Sequence, residues 1–256
     1  MTGAVVDPIS DDDAAVVLLN RAADAVVAAL AGQVDWGPSG RRAGQYASDL
    51  AADAAALEVL HAAGARVLSE ESGLDPGEGP IVVVDPLDGS TNASRGLPWF
   101  ATSLCLVDER GPRAAVVHDL AAGRRFEAVR GAGARLDGRR LERAPGPATL
   151  EEALVGVNAV PPPAVGWAQF RCFGALALDL CAVAEGRFDA YADFDDDGHG
   201  VWDLLGGSLV CTEVGLTVVD VDGRPLAVAD PAARRTLVAG PEPLVAALLA
   251  AHPRRA

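Results

Sequence analysis

The stretch IVVVDPLDGSTN, residues 81–92, constrains the fold of this 256-residue chain more than any other segment. Four residues that favour β-strands run directly into Asp85 and Asp88. Pro86 fixes its own φ and disfavours helical geometry at the residue before it. We therefore predict a strand over 81–84 that ends at the first aspartate.

The end of this stretch is typical of a turn that leads into a short helix. Gly89 permits a tight turn, and Ser90 or Thr91 can open the helix. Free backbone amides at a helix start attract anions, and phosphate is the commonest such ligand. The segment therefore predicts an anion-binding turn beside the two aspartates.

Asp85 and Asp88 themselves indicate a cation. The stretch contains no Lys or Arg, and two neighbouring carboxylates repel each other unless one takes up a proton or a cation holds both ionised. Their oxygens, with a backbone carbonyl such as that of Leu87, are hard ligands suited to Mg²⁺. A metal beside an anion-binding turn is what hydrolysis of a phosphate ester requires. A solvated turn is the alternative, because Asp, Pro and Gly are common turn residues.

Two further acidic positions favour the metal interpretation. Glu70 and Glu71 stand at the end of a predicted short strand, ahead of the first motif. Asp203 follows Trp202 at the start of a predicted amphipathic helix. Each position also has a simpler interpretation, which is a surface turn for the glutamates and a helix N-cap for the aspartate.

The composition indicates a soluble protein without a nucleic-acid or membrane partner. The formal net charge is −15, from 36 acidic and 21 basic residues, and every basic residue is Arg. Such an acidic balance disfavours binding to a nucleic-acid backbone or an anionic membrane, and it is compatible with cation binding. The apolar run 14–31 is interrupted by Asn20, Arg21 and Asp24 at helical spacing, which indicates an amphipathic helix and not a membrane span.

The N-terminal sequence and the cysteines indicate the compartment. MTGAVVDPISDDD lacks the basic-then-apolar pattern of a signal peptide, and the cysteines form no CxxC motif. We therefore expect a cytoplasmic protein whose cysteines are reduced and buried. These cysteines are Cys105, Cys172, Cys181 and Cys211.

The first half of the chain reads as helices followed by strands. Helices are predicted over 10–31, with Ser10 as the cap, and over 46–64. A short strand near 65–69 precedes the first motif, and the alternating segments within 99–141 predict an antiparallel meander.

The second half of the chain alternates strands with helices. It begins after the Pro/Gly-rich stretch 144–149, which is a candidate boundary. We therefore expect an α+β lobe over 1–145 that carries most metal ligands, and an α/β lobe over 146–256 that carries Asp203 and the substrate contacts. The predicted strands lie at 152–157, 188–192, 216–221 and 236–240, and the predicted helices at 175–186, from about 202, and at 242–251.

From about Asp49 to Val221 the chain resembles the inositol monophosphatase family of Mg²⁺-dependent, lithium-sensitive phosphatases. DPLDGSTN is similar to the family's first signature, and VWDLLGGSLVCTEVGLTVVD is similar to its second. FGALALDLCAVAEGRFDAY, between them, resembles the family's Gly-Ser-Ala-Ala-Leu-Asp-Leu stretch, and SEES matches its glutamate position. The resemblance implies a layered α-β-α-β-α sandwich.

The resemblance also implies a set of metal ligands. Glu70, Asp85 and the Leu87 carbonyl would hold one Mg²⁺, and Asp85, Asp88 and Asp203 would hold a second. Glu70 would also help to hold a third, loosely bound ion. The expected cofactor is therefore two or three Mg²⁺ ions in each active site.

Other residues receive catalytic and substrate roles from the same resemblance. The turn Gly89–Ser90–Thr91 would bind the phosphate, while Asp49, Ser90 and Glu70 would be catalytic, the first two by orienting and deprotonating the attacking water. Two substrate contacts are expected at Asp196 and at Ala175, where Ala replaces the usual Ser. The loop before Asp49 has only Arg41 and Arg42 where the family often has Lys. These departures leave the substrate open.

The implied activity is a phosphomonoesterase that uses metal-activated water on a small polyol or cyclitol phosphate such as myo-inositol 1-phosphate. Within the family the alternatives are histidinol phosphate, fructose 1,6-bisphosphate, a 3′-phosphonucleotide or NADP, and a biosynthetic sugar or nucleoside phosphate. A catalytically silent, metal-binding relative is a further alternative. The resemblance also implies a homodimer.

Overall fold

The computed structural model describes residues 9, 11–162 and 165–253. Within those residues the chain forms six α-helices, thirteen β-strands and a 3₁₀ turn at Leu150–Glu152. The helices are α1 Asp12–Ala31, α2 Ala47–Ala62, α3 Ser90–Ser94, α4 Leu176–Glu185, α5 Val201–Glu213 and α6 Glu242–Ala251. The strands are β1 Arg66–Ser69, β2 Gly73–Leu74, β3 Ile81–Asp88, β4 Ala101–Asp108, β5 Gly111–Asp119, β6 Arg124–Val129, β7 Gly133–Leu136, β8 Arg139–Arg140, β9 Leu154–Asn158, β10 Gln169–Arg171, β11 Ala190–Asp193, β12 Thr217–Asp220 and β13 Leu237–Gly240.

The strands form two sheets. The first has the order β2-β1-β3-β4-β5-β6-β7-β8, in which β1 and β3 are parallel and the strands from β3 onward form an antiparallel meander. The second has the order β10-β9-β11-β13-β12, with β9 parallel to both of its neighbours. The meander predicted within 99–141 is confirmed.

The two sheets and the helices stack as five layers. Helices α1 and α2 cover one face of the first sheet, α4 and α5 lie between the sheets, and α6 covers the far face of the second. Successive side chains of a strand point to opposite faces, so Val82 and Val84 join the core under α1 and α2. Ile81 and Val83 join the central core with α4 and α5. The predicted α-β-α-β-α sandwich is confirmed.

One face of helix α1 is buried in the protein core. The helix is long and apolar enough to cross a membrane by length and composition alone. Its apolar side chains such as Leu18, Leu19 and Val26 are buried against the first sheet. The N-cap is Asp11, whose carboxylate accepts the backbone N–H of Asp13 at 3.2 Å. The predicted cap, Ser10, lies outside the described residues.

Strand β3 continues past the predicted end. It extends to Asp88 and pairs with β4 through Asp85 and again through Asp88, with a register shift between them. Pro86, which lacks a backbone N–H, falls in this irregular part, where no regular ladder bond is lost. The prediction that the strand ends at Asp85 is therefore wrong, and the shift turns the backbone at the point where the acidic side chains emerge.

The second half contains one strand that was not predicted and one cysteine whose predicted burial is wrong. The short edge strand β10 was not predicted, because its three residues are all exposed and are too few to show a hydrophobic pattern. Cys172 is exposed, so its predicted burial is wrong, whereas the other three cysteines are buried. The division into lobes at 145/146 stays a prediction, and α5, from the second half, packs on the first sheet.

Candidate active site

The acidic positions predicted from three distant parts of the sequence come together at one edge of the first sheet. Glu70 follows β1, Asp85 lies in β3, and Asp203 lies in the first turn of α5. Because β1 and β3 are parallel neighbours, their carboxyl ends meet at the same edge. Carboxylate oxygens of these three residues lie within 4.8 Å of one another. We call Glu70, Asp85, Asp88 and Asp203 the acidic corner.

Asp88 sits slightly apart from the other three members of the acidic corner. One of its oxygens accepts the backbone N–H of Ala177, in the first turn of α4, at 2.7 Å. Burial, and then the negative charge of Asp203, raises the pKa of Asp88 well above its usual value. Asp88 therefore faces the same acidic corner while it is held by a helix of the middle layer.

Asp203 is not the cap of its helix. The N-cap of α5 is Gly200, and Asp203 is the third helical residue, whose carboxylate accepts the Gly200 N–H at 2.6 Å. The simpler N-cap interpretation is thus wrong. This hydrogen bond leaves the rest of the carboxylate directed at Asp85 and Glu70.

The acidic corner is electrostatically strained. Burial, followed by the charges of Glu70 and Asp88, raises the pKa of Asp85 well above its usual range. Burial and the charge of Asp203 raise the pKa of Glu70 to about 8. In the described part of the chain no Arg forms an ion pair with Asp85 or Asp88. The half-exposed Arg42 reaches only the outer member, at 3.5 Å from Glu70.

The donor set of the acidic corner fits a hard divalent cation. Asp85 is 1 % exposed, and its buried Oδ2 accepts no hydrogen bond from an N–H or hydroxyl group of the described residues. Its Oδ1 accepts the N–H of Leu87 at 3.0 Å, which fixes the orientation of the carboxylate. A buried oxygen of this kind costs free energy unless a proton or a cation binds it. Clustered carboxylate oxygens are the ligands that Mg²⁺ prefers.

In the turn after β3, the backbone lies so close to neighbouring residues that glycine is required. Gly89 has φ +81°, and a Cβ there would lie 2.9 Å from the Trp99 carbonyl oxygen and 3.0 Å from the Ala175 Cβ. The predicted short helix follows as α3, Ser90–Ser94. Asn92 fixes this helix, because its amide donates to the Trp99 carbonyl at 2.8 Å and to the Phe173 carbonyl at 2.7 Å.

Asp49 lies beside this turn, in the first turn of α2. It is 4 % exposed, and its Oδ2 accepts the backbone N–H of Tyr46 at 2.8 Å. Burial raises the pKa of Asp49 to about 6, although the Tyr46 N–H and the nearby Ser90 side chain both lower it. Oδ1 is buried without a well-formed hydrogen bond. The Asp49 and Ser90 side chains are therefore brought together as predicted, and their catalytic role stays a prediction.

A cavity of about 80 Å³ adjoins Asp88 on the side of the second sheet. Ala175, where a substrate contact was predicted, forms part of the cavity wall. Asp196 is exposed in the loop after β11, so its predicted role in substrate binding receives no support from burial. The cavity lining comprises Asp88, Asn158, Gly174, Ala175, Leu176, Asp179, Tyr191 and His199.

Sequence reasoning missed Tyr46 and left Arg42 unassigned. The Tyr46 hydroxyl lies 3.2 Å from Thr91 Oγ1, across the site from its own helix. Arg42 lies 2.9 Å from Glu71 and touches Glu70. The signal for Tyr46 was its position three residues before Asp49, at the start of a predicted helix. Neither long-range contact is encoded in local spacing.

Comparison with protein families finds one match that covers most of the chain. A family model described as "Inositol monophosphatase family" matches residues 39–255.

Curated relatives carry two kinds of name. The Nus factor SuhB of Pseudomonas aeruginosa is 37 % identical over an alignment of 177 residues, and the match covers 61 % of this chain and 64 % of that protein. The fructose-1,6-bisphosphatase/inositol-1-monophosphatase of Archaeoglobus fulgidus is 33 % identical over an alignment of 185 residues, and the match covers 70 % of this chain and 71 % of that protein. The chain thus spans slightly less than two thirds of the length of the Pseudomonas relative.

Solved structures share the fold over almost the whole chain. The extragenic suppressor protein suhB of Bartonella henselae has a TM-score of 0.77 at 28 % identity, and the match covers 93 % of this chain and 98 % of that one. The inositol monophosphatase of Anabaena has a TM-score of 0.77 at 26 % identity, with coverage of 94 % and 97 %.

Proposed function

The chain belongs to the inositol monophosphatase family, and we propose that it is a Mg²⁺-dependent phosphomonoesterase that acts on a small polyol or cyclitol phosphate. The observation that carries this proposal is the acidic corner, where oxygens of Glu70, Asp85 and Asp203 lie within 4.8 Å of one another. Asp85 contributes an oxygen to this cluster, and its buried Oδ2 accepts no hydrogen bond from the described residues. A structural cluster of acids would be expected to pair with Arg instead.

The proposed metal ligands are those of the sequence prediction. Glu70, Asp85 and the Leu87 carbonyl would hold one Mg²⁺, Asp85, Asp88 and Asp203 a second, and Glu70 would help to hold a third. Bound Mg²⁺ supplies positive charge that acidifies water and offsets the negative charge that develops on a phosphate ester.

The chain's own residues would bind the ester and receive a proton. The turn Gly89–Thr91 would receive the phosphate, because Gly89 allows the backbone to approach closely. Asp49 would accept a proton from the attacking water through Oδ1, with the Ser90 hydroxyl helping to orient that water. A pKa of about 6 leaves Asp49 mostly ionised at neutral pH, as a proton acceptor needs to be.

The proposed substrate class follows from the family resemblance. The cavity beside Asp88 has a polar wall, in which His199 Nε2 lies 3.2 Å from the Asn158 amide nitrogen and 3.3 Å from the Tyr191 hydroxyl. Ala175, at the same wall, supplies no side-chain hydrogen bond. Inositol 1-phosphate is therefore the first substrate to test, followed by fructose 1,6-bisphosphate, histidinol phosphate and 3′-phosphonucleotides.

The test is hydrolysis of p-nitrophenyl phosphate and myo-inositol 1-phosphate by the full chain, with Mg²⁺ or with a chelator, in wild type and Asp88→Asn. We expect turnover that depends on Mg²⁺ and falls on the order of 10²-fold or more in the variant. Activity that survives chelation or the Asn substitution would contradict the proposal.

A second candidate function is a role without turnover, which is favoured by the name Nus factor SuhB that several relatives carry. A wild type that binds Mg²⁺ but hydrolyses no phosphate ester would support this candidate over the first.

Partner and compartment predictions accompany the proposal. A homodimer, a cytoplasmic location and the absence of a nucleic-acid partner stay predictions. Light scattering tests the first, and a mobility-shift assay with RNA tests the last. RNA binding at physiological salt would overturn the inference made from a net charge of −15.

A further inference from the structure

Tyr46, which lies outside the predicted site, contacts both halves of the proposed catalytic apparatus, one through its backbone and the other through its side chain. It precedes α2 in extended geometry, with φ −105° and ψ 162°. Its backbone N–H donates to Asp49 Oδ2 at 2.8 Å, and its hydroxyl lies 3.2 Å from Thr91 Oγ1. One residue therefore links the proposed proton acceptor to the turn proposed to receive the phosphate.

The main chain around Tyr46 is held in place, so the hydroxyl is presented at a fixed point. Tyr46 forms an isolated β-bridge with Pro38. The next residue, Ala47, donates its N–H to the Gly37 carbonyl at 2.9 Å. On the other side, the Gln45 carbonyl accepts the backbone N–H of Ser39 at 2.8 Å. These contacts fix the backbone on both sides of the tyrosine.

The Tyr46 hydroxyl meets a polar surface at α3. Besides Thr91, the Ser94 side chain lies close enough to lower the pKa of Tyr46, and the charge of Arg95 lowers it further. Ser94 Oγ in turn donates to the Thr91 carbonyl at 2.8 Å. The phenol thus contacts the exposed face of α3, at the residue that follows Ser90.

We infer that Tyr46 is a positioning residue for phosphate binding: its hydroxyl fixes the Thr91 side chain while its backbone N–H fixes Asp49. This inference rests on the proposed function, because it assumes that the turn Gly89–Thr91 receives a phosphate group. The hydroxyl makes no contact with the acidic corner in the described structure, so its removal leaves the metal ligands in place.

The substitution Tyr46→Phe separates the two contacts. It removes the hydroxyl and keeps both the ring and the backbone N–H that holds Asp49. We expect KM for p-nitrophenyl phosphate and Kd for inorganic phosphate to rise about 3- to 10-fold, the effect of one net hydrogen bond. We expect kcat to stay within about twofold, because Asp49 keeps its backbone partner.

The experiment measures kcat and KM for p-nitrophenyl phosphate, and Kd for inorganic phosphate by calorimetry with saturating Mg²⁺. The proteins are wild type, Tyr46→Phe, Tyr46→Ala, Thr91→Val and the Tyr46→Phe/Thr91→Val double variant. If the hydroxyl acts through Thr91, adding Tyr46→Phe to Thr91→Val causes no further loss. Equal losses in the presence and absence of the threonine hydroxyl would overturn the inference.

Two other outcomes also decide the question. A Tyr46→Phe protein that equals wild type while Tyr46→Ala is impaired would show that only the ring matters, and would reject the inference. A fall in kcat with unchanged KM and Kd would reject it as well.

The binding readout separates this inference from the proposed function. Wild type that binds phosphate but hydrolyses nothing would reject the function, while a weaker Kd in Tyr46→Phe would keep the inference. Wild type that hydrolyses esters while Tyr46→Phe changes nothing would reject the inference alone. Wild type that neither binds nor hydrolyses would reject both.

Discussion

Aspartate side chains have shifted pKa values in two regions of the molecule, but in opposite directions. The pKa is raised in the acidic corner and lowered in the Asp108–Arg130 pair. Both oxygens of Asp108 accept from the Arg130 guanidinium, at 3.0 and 2.6 Å, and these hydrogen bonds hold the pKa of Asp108 below its usual value. Asp85 is buried next to other carboxylates and forms no ion pair with any Arg that the structure describes, and burial and the charge of Glu70 raise its pKa well above the usual value.

A third set of acids, at the end of β12, repeats the paired arrangement. Arg224 donates to Asp220 at 2.8 Å and to Asp197 at 2.7 Å. Although burial opposes it, these hydrogen bonds keep the pKa of Asp220 below its usual value. The two acids that pair with Arg thus have lowered pKa values, whereas Asp85 in the acidic corner, where we propose a bound cation, has a raised one.

The largest expected effect comes from Asp85→Asn, which removes one carboxylate from the acidic corner. Without metal, the variant should be as stable as wild type or more so, because a buried like charge is removed. With Mg²⁺, wild type should gain thermal stability and the variant should not. Activity should fall on the order of 10³-fold, since several kcal/mol of charge stabilisation depend on the metal. Calorimetry with and without Mg²⁺ measures the stability part.

Asp108→Asn is the matched control for this prediction. It removes a charge from a paired acid, so it should lower stability by about 1 kcal/mol and leave the Mg²⁺-induced shift unchanged. An equal loss of the Mg²⁺ response in both variants would break the contrast between the two regions.

An intermediate loss of stability is expected when Asp220 loses its Arg partner. Arg224→Leu leaves the fully buried Asp220 side chain next to other acids without a counterion. Stability at pH 7 should fall by about 2–3 kcal/mol, less than for a fully buried pair because the Arg side chain is 33 % exposed. Urea unfolding measures this loss.

The pH dependence of the Arg224→Leu loss has a definite sign. The pKa of Asp220 is lowered in the native state, so its contribution is present above its unfolded pKa and is lost as pH falls. The difference between wild type and variant should therefore shrink in acid. An unchanged stability at pH 7, or a lost Mg²⁺ response, would contradict the assignment of this network as structural.

The smallest expected effect concerns Asp179, a solitary buried acid in the cavity wall. Burial raises its pKa from 3.8 to about 8, although the Trp99 indole N–H, at 2.9 Å, lowers it. Because the folded-state pKa is the higher one, its contribution to stability is full below about pH 4 and is lost as pH rises through about 8. Asp179→Asn should remove this dependence.

The expected result is equal stability of wild type and Asp179→Asn at pH 4, and a variant that becomes progressively more stable than wild type as pH rises to 8. Unfolding in urea across this pH range gives the measurement. Asp108→Asn should show the opposite trend, with its loss greatest at neutral pH. A pH-independent difference for Asp179→Asn would mean that this carboxyl is not protonated in the folded protein.

Most residues of the candidate site were predicted from the sequence, because they stand in recognisable local motifs. The run into Asp85 and Asp88, the glutamate after β1 and Asp203 in α5 were all found by their place at the ends of apolar segments. The family resemblance implied that these side chains lie close together. The carboxylate oxygens of Glu70, Asp85 and Asp203, which lie within 4.8 Å of one another, agree with this expectation. Which of them bind metal stays a prediction.

The errors arose where a tertiary contact overrode a local preference. Pro86 was read as a strand end, but β3 continues because the pairing with β4 shifts at that point. Asp203 fitted the N-cap pattern, yet Gly200 is the cap. Strand β10 had no pattern, because an edge strand with three exposed residues depends only on its neighbour β9.

From the sequence alone, hydrophobic periodicity and turn residues predicted which segments form helices and strands, and the family resemblance implied how these elements stack in layers. Only the tertiary structure decided the electrostatic state of each acid and the long-range contact of Tyr46 with Thr91. Burial and partners fix a pKa, and both depend on residues that lie far apart in the chain.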